Sequence, residues 1–315
     1  MKYYIVAGEA SGDLHGSNLM KELKSQDSNA EFRFFGGDLM KSVGGELVNH
    51  YKDTAFMGFI PVILNLRTIL KNIKKCQEDV LGFKPDVLIL IDYPGFNLKI
   101  AKFASEQGLK VHYYISPKIW AWKERRIKDI KAYVHKMITI LPFETEFYRK
   151  HGMEVNYVGN PLFDQISAFK KTASKIETEK PILAVLPGSR KMELERMLPT
   201  MAKAAKLLQQ DYDVYIAATP DFTIDFYKSL IGDLNAQFVV GETYKLLNSA
   251  QRAIITSGTA TLEAAIFKVP QVICYHGPAL IVAAAKRFVK VKYLGLANLI
   301  MDKAIVTELI QEDMT

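Results

Sequence analysis

Short apolar runs, most without polar alternation, recur between segments of helical length along the whole chain, and this pattern limits the fold more than any other feature. The runs lie at 3–7, 32–35, 87–91, 111–115 and 137–141, and again at 182–186, 214–217, 238–240, 253–256 and 272–275. A strand with one wet face alternates; a strand apolar throughout is covered on both faces, as in a parallel sheet between two layers of helices. The intervening segments, such as 95–107 and 193–210, carry helical spacing. In the second, Leu194, Met197, Leu198, Met201, Ala205 and Leu208 form one stripe, and Pro199 is expected to kink or restart the helix. Repeated strand–helix alternation predicts an α/β fold of doubly wound parallel sheets.

Length sets the number of such sheets: at roughly 150 residues per domain, the 315 residues make two. The break is expected between residues 160 and 180, where FKKTASKIETEK (169–180) is polar and poor in large apolar side chains. The expected domains are 1–160 and 161–315, with a cleft between them.

The composition, 49% hydrophobic and 24% charged, is that of a globular protein and excludes disorder, collagen and coiled coil. Cys76 and Cys274 belong to no CxxC or Cys/His cluster, which excludes a disulfide framework and a structural zinc site. The apolar run 3–7 is too short for a signal peptide, so the chain is read as cytosolic.

No uncharged apolar stretch reaches the 18 residues that a membrane-spanning helix needs. The nearest is 54–66, TAFMGFIPVILNL, followed by Arg67, Lys71, Lys74 and Lys75. Phe56, Met57, Phe59, Ile63 and Leu66 either pack into the core or lie among the headgroups of an anionic membrane. A second basic region, 118–136, holds seven Lys/Arg beside Trp120 and Trp122. It suits a membrane interface or a phosphorylated ligand, or is a solvated helix face; no nucleic-acid-binding motif accompanies it. The net charge of +7 suits anionic partners.

Ligands in doubly wound sheets bind beyond the carboxyl ends of the strands, so the residues just after each run carry the functional expectations. After the first comes Gly8-Glu9-Ala10-Ser11-Gly12-Asp13, a small-residue turn into a helix that lacks the glycine fingerprint of dinucleotide sites. Asp13 either serves a ligand or caps the helix. After 87–91 comes Asp92-Tyr93-Pro94-Gly95-Phe96-Asn97; Asp92 is either a general base or the cap of the following helix. In the second half, Gly188, Ser189 and Arg190 follow one strand, and Ser257, Gly258, Thr259, Thr261 and Glu263 follow another. Arg190 is suited to fork onto phosphate oxygens, the Ser257–Thr261 hydroxyls and unpaired N–H groups to cradle an anion, and Glu263 to accept from ribose hydroxyls. Two such loops point to a nucleoside diphosphate. The absence of GxxxxGK[ST] argues against P-loop chemistry. Asp211-Tyr212-Asp213 precedes its strand, on the wrong side of the sheet for a metal site.

Together these segments resemble the lipid-A-disaccharide synthases, inverting glycosyltransferases of the two-domain GT-B fold. The resemblance runs through VAGEASGD (6–13), KPDVLILIDYPGFN (84–97), YYISPKIWAWKERR (113–126), LPFETEFY (141–148), LPGSR (186–190), SGTATLE (257–263) and AKRFVKVKYLGLANLI (285–300). It implies that UDP-2,3-diacylglucosamine is joined to 2,3-diacylglucosamine 1-phosphate, giving a β(1→6) disaccharide 1-phosphate and UDP at the inner face of the inner membrane. Asp92 matches the family's essential aspartate, Arg190 its arginine at the nucleotide and Asn298 a polar residue that it also uses. Glu9, Ser11 and Asp13 would line the acceptor side, and residues 56–66 would meet acyl chains. No cofactor, metal or nucleic acid is expected; a homodimer is left open. Gly95 and Ala297 depart from the family's usual aspartate and proline. The family continues past the point reached by residue 315, so the second domain is expected to be truncated, ending within a helix at 308–315. The rival readings are another GT-B enzyme on UDP-amino sugars, such as a polyprenol-linked transferase or a 2-epimerase, and a homologue that binds UDP or lipid without turnover.

Overall fold

A computed structural model describes residues 1–53, 65–278 and 291–314. The chain divides into two compact units, Met1–Gly159 and Asn160–Thr315. Unit 1 runs β1 (Lys2–Ala7), α1 (Ala10–Gln26), β2 (Glu31–Gly36), α2 (Asp38–Val43), β3 (Glu46–His50), α3 (Leu66–Phe83), β4 (Val87–Ile91) and α4 (Pro94–Glu106). It continues through β5 (Val111–Tyr114), α5 (Ile127–Tyr133), β6 (Lys136–Thr139), α6 (Pro142–Lys150) and β7 (Asn156–Tyr157). Its strands lie in the order β3-β2-β1-β4-β5-β6-β7.

Unit 2 opens with α7 (Leu162–Thr172), β8 (Ile182–Leu186), α8 (Lys191–Leu208), β9 (Asp213–Ala218), α9 (Ile224–Ile231) and β10 (Gln237–Val240). It continues through α10 (Thr243–Ser249), β11 (Ala250–Thr256), α11 (Thr259–Phe267), β12 (Gln271–Tyr275), α12 (Leu296–Met301) and β13 (Thr307–Ile310). Its order is β10-β9-β8-β11-β12-β13. The pairings in both sheets are parallel.

The missing alternation has its cause in the packing. Every residue of β4 and of β8 is buried. Leu88 and Leu90 join the cluster on one face of the first sheet, with Tyr4 and Val6, while Val87, Ile89 and Ile91 join Tyr3 and Ile5 on the other. In unit 2, Leu183 and Val185 face one cluster and Ile182, Ala184 and Leu186 the other. Each Leu, Ile or Val so buried contributes about 1.5–3 kcal/mol.

Several expectations are corrected. Of the two outcomes expected at Pro199, a restart is excluded, because α8 runs through it as one helix. Much of 162–180 is structured within unit 2 rather than linking: Leu162 and Ile166 are buried, and Phe169 meets the rings of Tyr244 and Phe267 edge-on at 5.6 and 6.1 Å. Of the C-terminal stretch expected as helix, 308–310 belong to strand β13, paired with β12, and 311–313 form a 3-10 turn. The expected acyl contacts Phe56, Met57, Phe59 and Ile63 lie outside the described residues. Leu66 is exposed at the start of α3, as is Leu70 one turn on, with Arg67, Lys71 and Lys74 exposed around them. Among the described residues no helix is long and apolar enough to cross a membrane.

Candidate active site

Each sheet reverses its strand order once, between β1 and β4 in unit 1 and between β8 and β11 in unit 2. The crevice beyond the strand ends at such a reversal is where open α/β sheets bind ligands. The four loops singled out in the sequence follow these four strands.

In unit 1, Asp92 follows β4 in the left-handed region (φ +43°), and Tyr93 follows it there (φ +47°). Two non-glycine residues in this region cost about 1–2 kcal/mol each, so surrounding bonds must hold them. Asn97 on α4 donates through Nδ2 to the carbonyls of Asp92 at 2.8 Å and Ile91 at 3.1 Å. The Tyr113 hydroxyl donates to the Asp92 carbonyl as well. The Tyr93 ring lies so close over Gly8 that a Cβ there would sit 2.2 Å from it, so the loops after β1 and β4 are packed together through a glycine. The helix cap of α4 is Tyr93, without a side-chain bond, so Asp92 is not its cap. Burial raises the Asp92 carboxyl above the ordinary range; the Lys118 charge and the Tyr93 N–H act against that rise.

The acceptor-side trio separates. Ser11 is exposed and Glu9 half-buried beside Tyr93. Asp13 is buried and takes three backbone N–H groups at the start of α2, from Gly37 at 2.8 Å and from Leu39 and Met40 at 3.0 Å each. It caps a neighbouring helix, α2, rather than α1.

In unit 2, Gly188 has φ +107°, and a Cβ on it would lie 2.7 Å from a Glu193 carboxylate oxygen. Glu193 Oε2 accepts from the N–H groups of Ser189 and Arg190 at 3.3 Å each. The backbone of this loop is therefore closed by a carboxylate of its own helix, and Ser189 offers no open N–H. The Arg190 guanidinium meets Glu193 Oε1 at 3.0 Å but stays largely exposed. After β11, Ser257 Oγ donates to the Leu294 carbonyl at 3.2 Å; Thr261 Oγ1 donates to the Gly258 carbonyl at 2.8 Å and accepts from Leu296 N at 3.3 Å. These two hydroxyls anchor the 294–296 segment rather than face outward. Gly258 and Thr259 are exposed at the first turn of α11, where N–H groups have no partner within the helix. Glu263 is half-buried, its carboxyl raised by burial, with the Tyr244 hydroxyl 3.4 Å away.

Asn298 is buried with both ends of its amide engaged. Nδ2 donates to Val306 O and Glu308 Oε1 at 2.8 Å each, and Oδ1 accepts from Ile305 N and Val306 N at 2.9 Å each. Glu308 also accepts from Leu294 N at 2.9 Å and Gly295 N at 3.0 Å. Asn298 is a staple between α12 and β13, with both ends of its amide engaged by the protein. Asn298→Ala strands several buried groups and should lower unfolding stability by about 2–4 kcal/mol in urea titration.

The basic region 118–136 is not a single helix face: its first part is a loop and a short 3-10 turn, its second α5. Lys123 sits 4.1 Å over the Trp122 ring. Trp120 Nε1 donates to Glu144 at 3.1 Å. Glu144 is buried, and burial pushes its carboxyl up to about 7. Below its unfolded value the proton is bound in both states; as pH rises to about 7 the native state holds it longer than the unfolded chain, so this contribution to stability falls through that window. Stability measured in urea between pH 4.5 and 7 should therefore slope downward less in Glu144→Gln than in wild type.

A family model described as lipid-A-disaccharide synthetase matches residues 3–315. The chain belongs to the lipid-A-disaccharide synthase family. It is 39% identical over 322 aligned positions to lipid-A-disaccharide synthase 1 of Legionella pneumophila (strain Lens), covering 98% of this chain and 83% of the relative. It is 38% identical to the synthase of Trichlorobacter lovleyi, again over 98% of this chain and 83% of the relative. Among solved structures, the UDP-GlcNAc 2-epimerase from Neisseria meningitidis bound to UDP-GlcNAc superposes with TM-score 0.64 at 13% identity, over 96% of this chain and 90% of that one. The glycosyltransferase SnogD from Streptomyces nogalater gives 0.58 at 15%, over 99% and 88%. These likenesses establish the shared GT-B fold. The synthase family assignment rests on the sequence relatives and gives the epimerase alternative no support beyond that fold.

The residues that sequence reasoning passed over are Asn97, Glu144 and Glu308. Asn97 stands inside the DYPGFN segment, so it carries a signal. Glu308 carries none, because the sequence around it has the look of a helix rather than of strand β13.

Proposed function

We propose that the chain transfers the diacylglucosamine unit of UDP-2,3-diacylglucosamine to the 6-hydroxyl of 2,3-diacylglucosamine 1-phosphate, with inversion at the anomeric carbon. The family's reaction, synthesis of the lipid A disaccharide, is the chemistry of this chain, and the residues of its two units divide that work. Asp92 takes the proton of the acceptor hydroxyl as that oxygen bonds to the anomeric carbon. The bond from that carbon to UDP breaks on the opposite face, and UDP leaves with the electron pair. One base suffices, because no covalent sugar–enzyme intermediate intervenes. The observation that carries this reading is Asp92 itself: a half-buried carboxyl beyond β4, at the strand-order reversal, on a backbone clamped by Asn97 and Tyr113. A carboxyl raised by burial is a stronger base than a free one once ionised.

Unit 2 takes the donor. Arg190 and the first-turn N–H groups at Gly258 and Thr259 meet the diphosphate and stabilise the charge that grows on it. Gly188 keeps the Arg190 loop tight, Glu263 accepts from the ribose, and Ser257 and Thr261 support the cradle from behind. Glu9 and Ser11 line the acceptor side of unit 1. The exposed Leu66 and Leu70, ringed by Arg67, Lys71 and Lys74, support a peripheral seat of α3 on the anionic inner face of the inner membrane.

The test is the stereochemistry of the product. Proton NMR of the disaccharide made from the α-linked donor should show a β anomeric linkage to O6; an α linkage would remove the single-displacement reading and leave Asp92 without this role.

A further inference from the structure

Three aromatic rings from three helices of unit 2 pack against one another. Phe169 of α7 meets Tyr244 of α10 edge-on at 5.6 Å and Phe267 of α11 at 6.1 Å, and Tyr244 lies 5.6 Å from Phe267. Such pairs hold their geometry through edge-to-face attraction as well as burial. Lys170 ties α7 to α11 a second time: its ammonium lies 4.8 Å over the Phe267 ring and donates to the Ile266 carbonyl at 3.4 Å. Glu263 and Phe267 are four residues apart, on one face of α11. A ring resting on Phe267 therefore brings its hydroxyl to Glu263, and the Tyr244 hydroxyl lies 3.4 Å from Glu263 Oε1. It also lies 3.3 Å from Gln165 Oε1, and its one proton cannot serve both acceptors. The carboxylate, once ionised, is the stronger of the two. Gln165 Nε2 is buried with no hydrogen-bond partner among the described residues. Turning that amide over brings Nε2 onto the hydroxyl as a donor and leaves the phenolic proton to Glu263.

We propose that Tyr244 is a positioning residue for nucleotide recognition, its hydroxyl holding one oxygen of the Glu263 carboxylate so that the other, Oε2, is set for the ribose hydroxyls of the UDP moiety. This inference rests on the reading of Glu263 as the ribose contact. A glutamate without such a hold loses rotamer freedom when its ligand arrives, and a carboxylate fixed beforehand does not. The phenol remains a donor, because burial and the nearby Glu263 charge raise its ionisation well above the ordinary tyrosine range. The hold acts on the ribose end of the ligand alone. The diphosphate is assigned to Arg190 and to the N–H groups at Gly258 and Thr259, one turn earlier on α11.

The experiment is calorimetric titration of wild type, Tyr244→Phe, Glu263→Ala and the double variant with UDP and with 2′,3′-dideoxy-UDP, which lacks the ribose hydroxyls. Wild type should prefer UDP by about 10–100-fold, the worth of hydrogen bonds to a charged acceptor. Tyr244→Phe keeps the ring packing and should cut that preference by about 3–10-fold, with affinity for the dideoxy analogue within about twofold of wild type. Glu263→Ala should abolish the preference, and adding Tyr244→Phe should change it no further. A preference in Tyr244→Phe equal to that of wild type, or an equal loss for both ligands, overturns the proposal, while a lost preference in Glu263→Ala leaves the ribose reading standing. A preference retained in Glu263→Ala, or absent from wild type, overturns the ribose reading itself.

Discussion

Asp92→Asn is expected to lower turnover by about 10²–10⁴-fold, the range a positioned general base supplies, while UDP affinity stays within about twofold of wild type. The substitution isolates chemistry from folding unusually well. Asp92 sits at φ +43°, where asparagine and aspartate are the residues that adopt the left-handed region most readily after glycine. The bonds that clamp this point run to the Asp92 backbone carbonyl, from Asn97 and Tyr113, and survive the change. Asparagine keeps the shape and cannot take the proton. Donor binding belongs to the other unit in this account, so single-turnover assays with a separate UDP titration should show loss in one and none in the other. Normal turnover in Asp92→Asn would remove Asp92 as the base.

Arg190→Ala is expected to act on both measurements, weakening UDP binding by about 10–100-fold and turnover by about 10²–10³-fold, the scale seen when a donor to developing charge is removed. Stability should hardly change. The bond between Arg190 and Glu193 is an exposed i,i+3 pair, of a kind worth about 0.2–0.5 kcal/mol. The cap that closes α8 uses backbone N–H groups of Ser189 and Arg190, which alanine retains. Arg190→Lys should recover only part of the affinity, because an ammonium keeps the charge and loses the fork. Calorimetric UDP titration together with thermal melting checks both halves. Unchanged UDP affinity would move the diphosphate away from this loop.

The strands and the switch-point loops were legible because burial on both faces leaves a continuous apolar run, and β4 and β8 are buried at every position. Three of the four edge strands were not, β10 being the exception. β3, β7 and β13 contain no buried residue, and their polar sequences take strand form through the neighbour that each pairs with. The helix α7 hid for a related reason: its lysines are exposed, and its apolar contacts with unit 2 are few, among them Leu162, Ile166 and Phe169. Residue type and loop position singled out Asp92 and Arg190. They could not separate side chains that face outward from those engaged by the protein. Asp13, Asn298, Ser257 and Thr261 have the chemistry of ligand contacts, yet their polar atoms are taken by α2, β13 and the 294–296 segment. That distinction depends on partners far away in sequence, such as Glu308, which no local motif announces.

The most direct test of the central claim is UDP release from UDP-2,3-diacylglucosamine in mixed detergent micelles, with and without 2,3-diacylglucosamine 1-phosphate. Release should depend on the acceptor and match disaccharide formed mole for mole. Release at the same rate without acceptor, or UDP binding with no release under either condition, would contradict it.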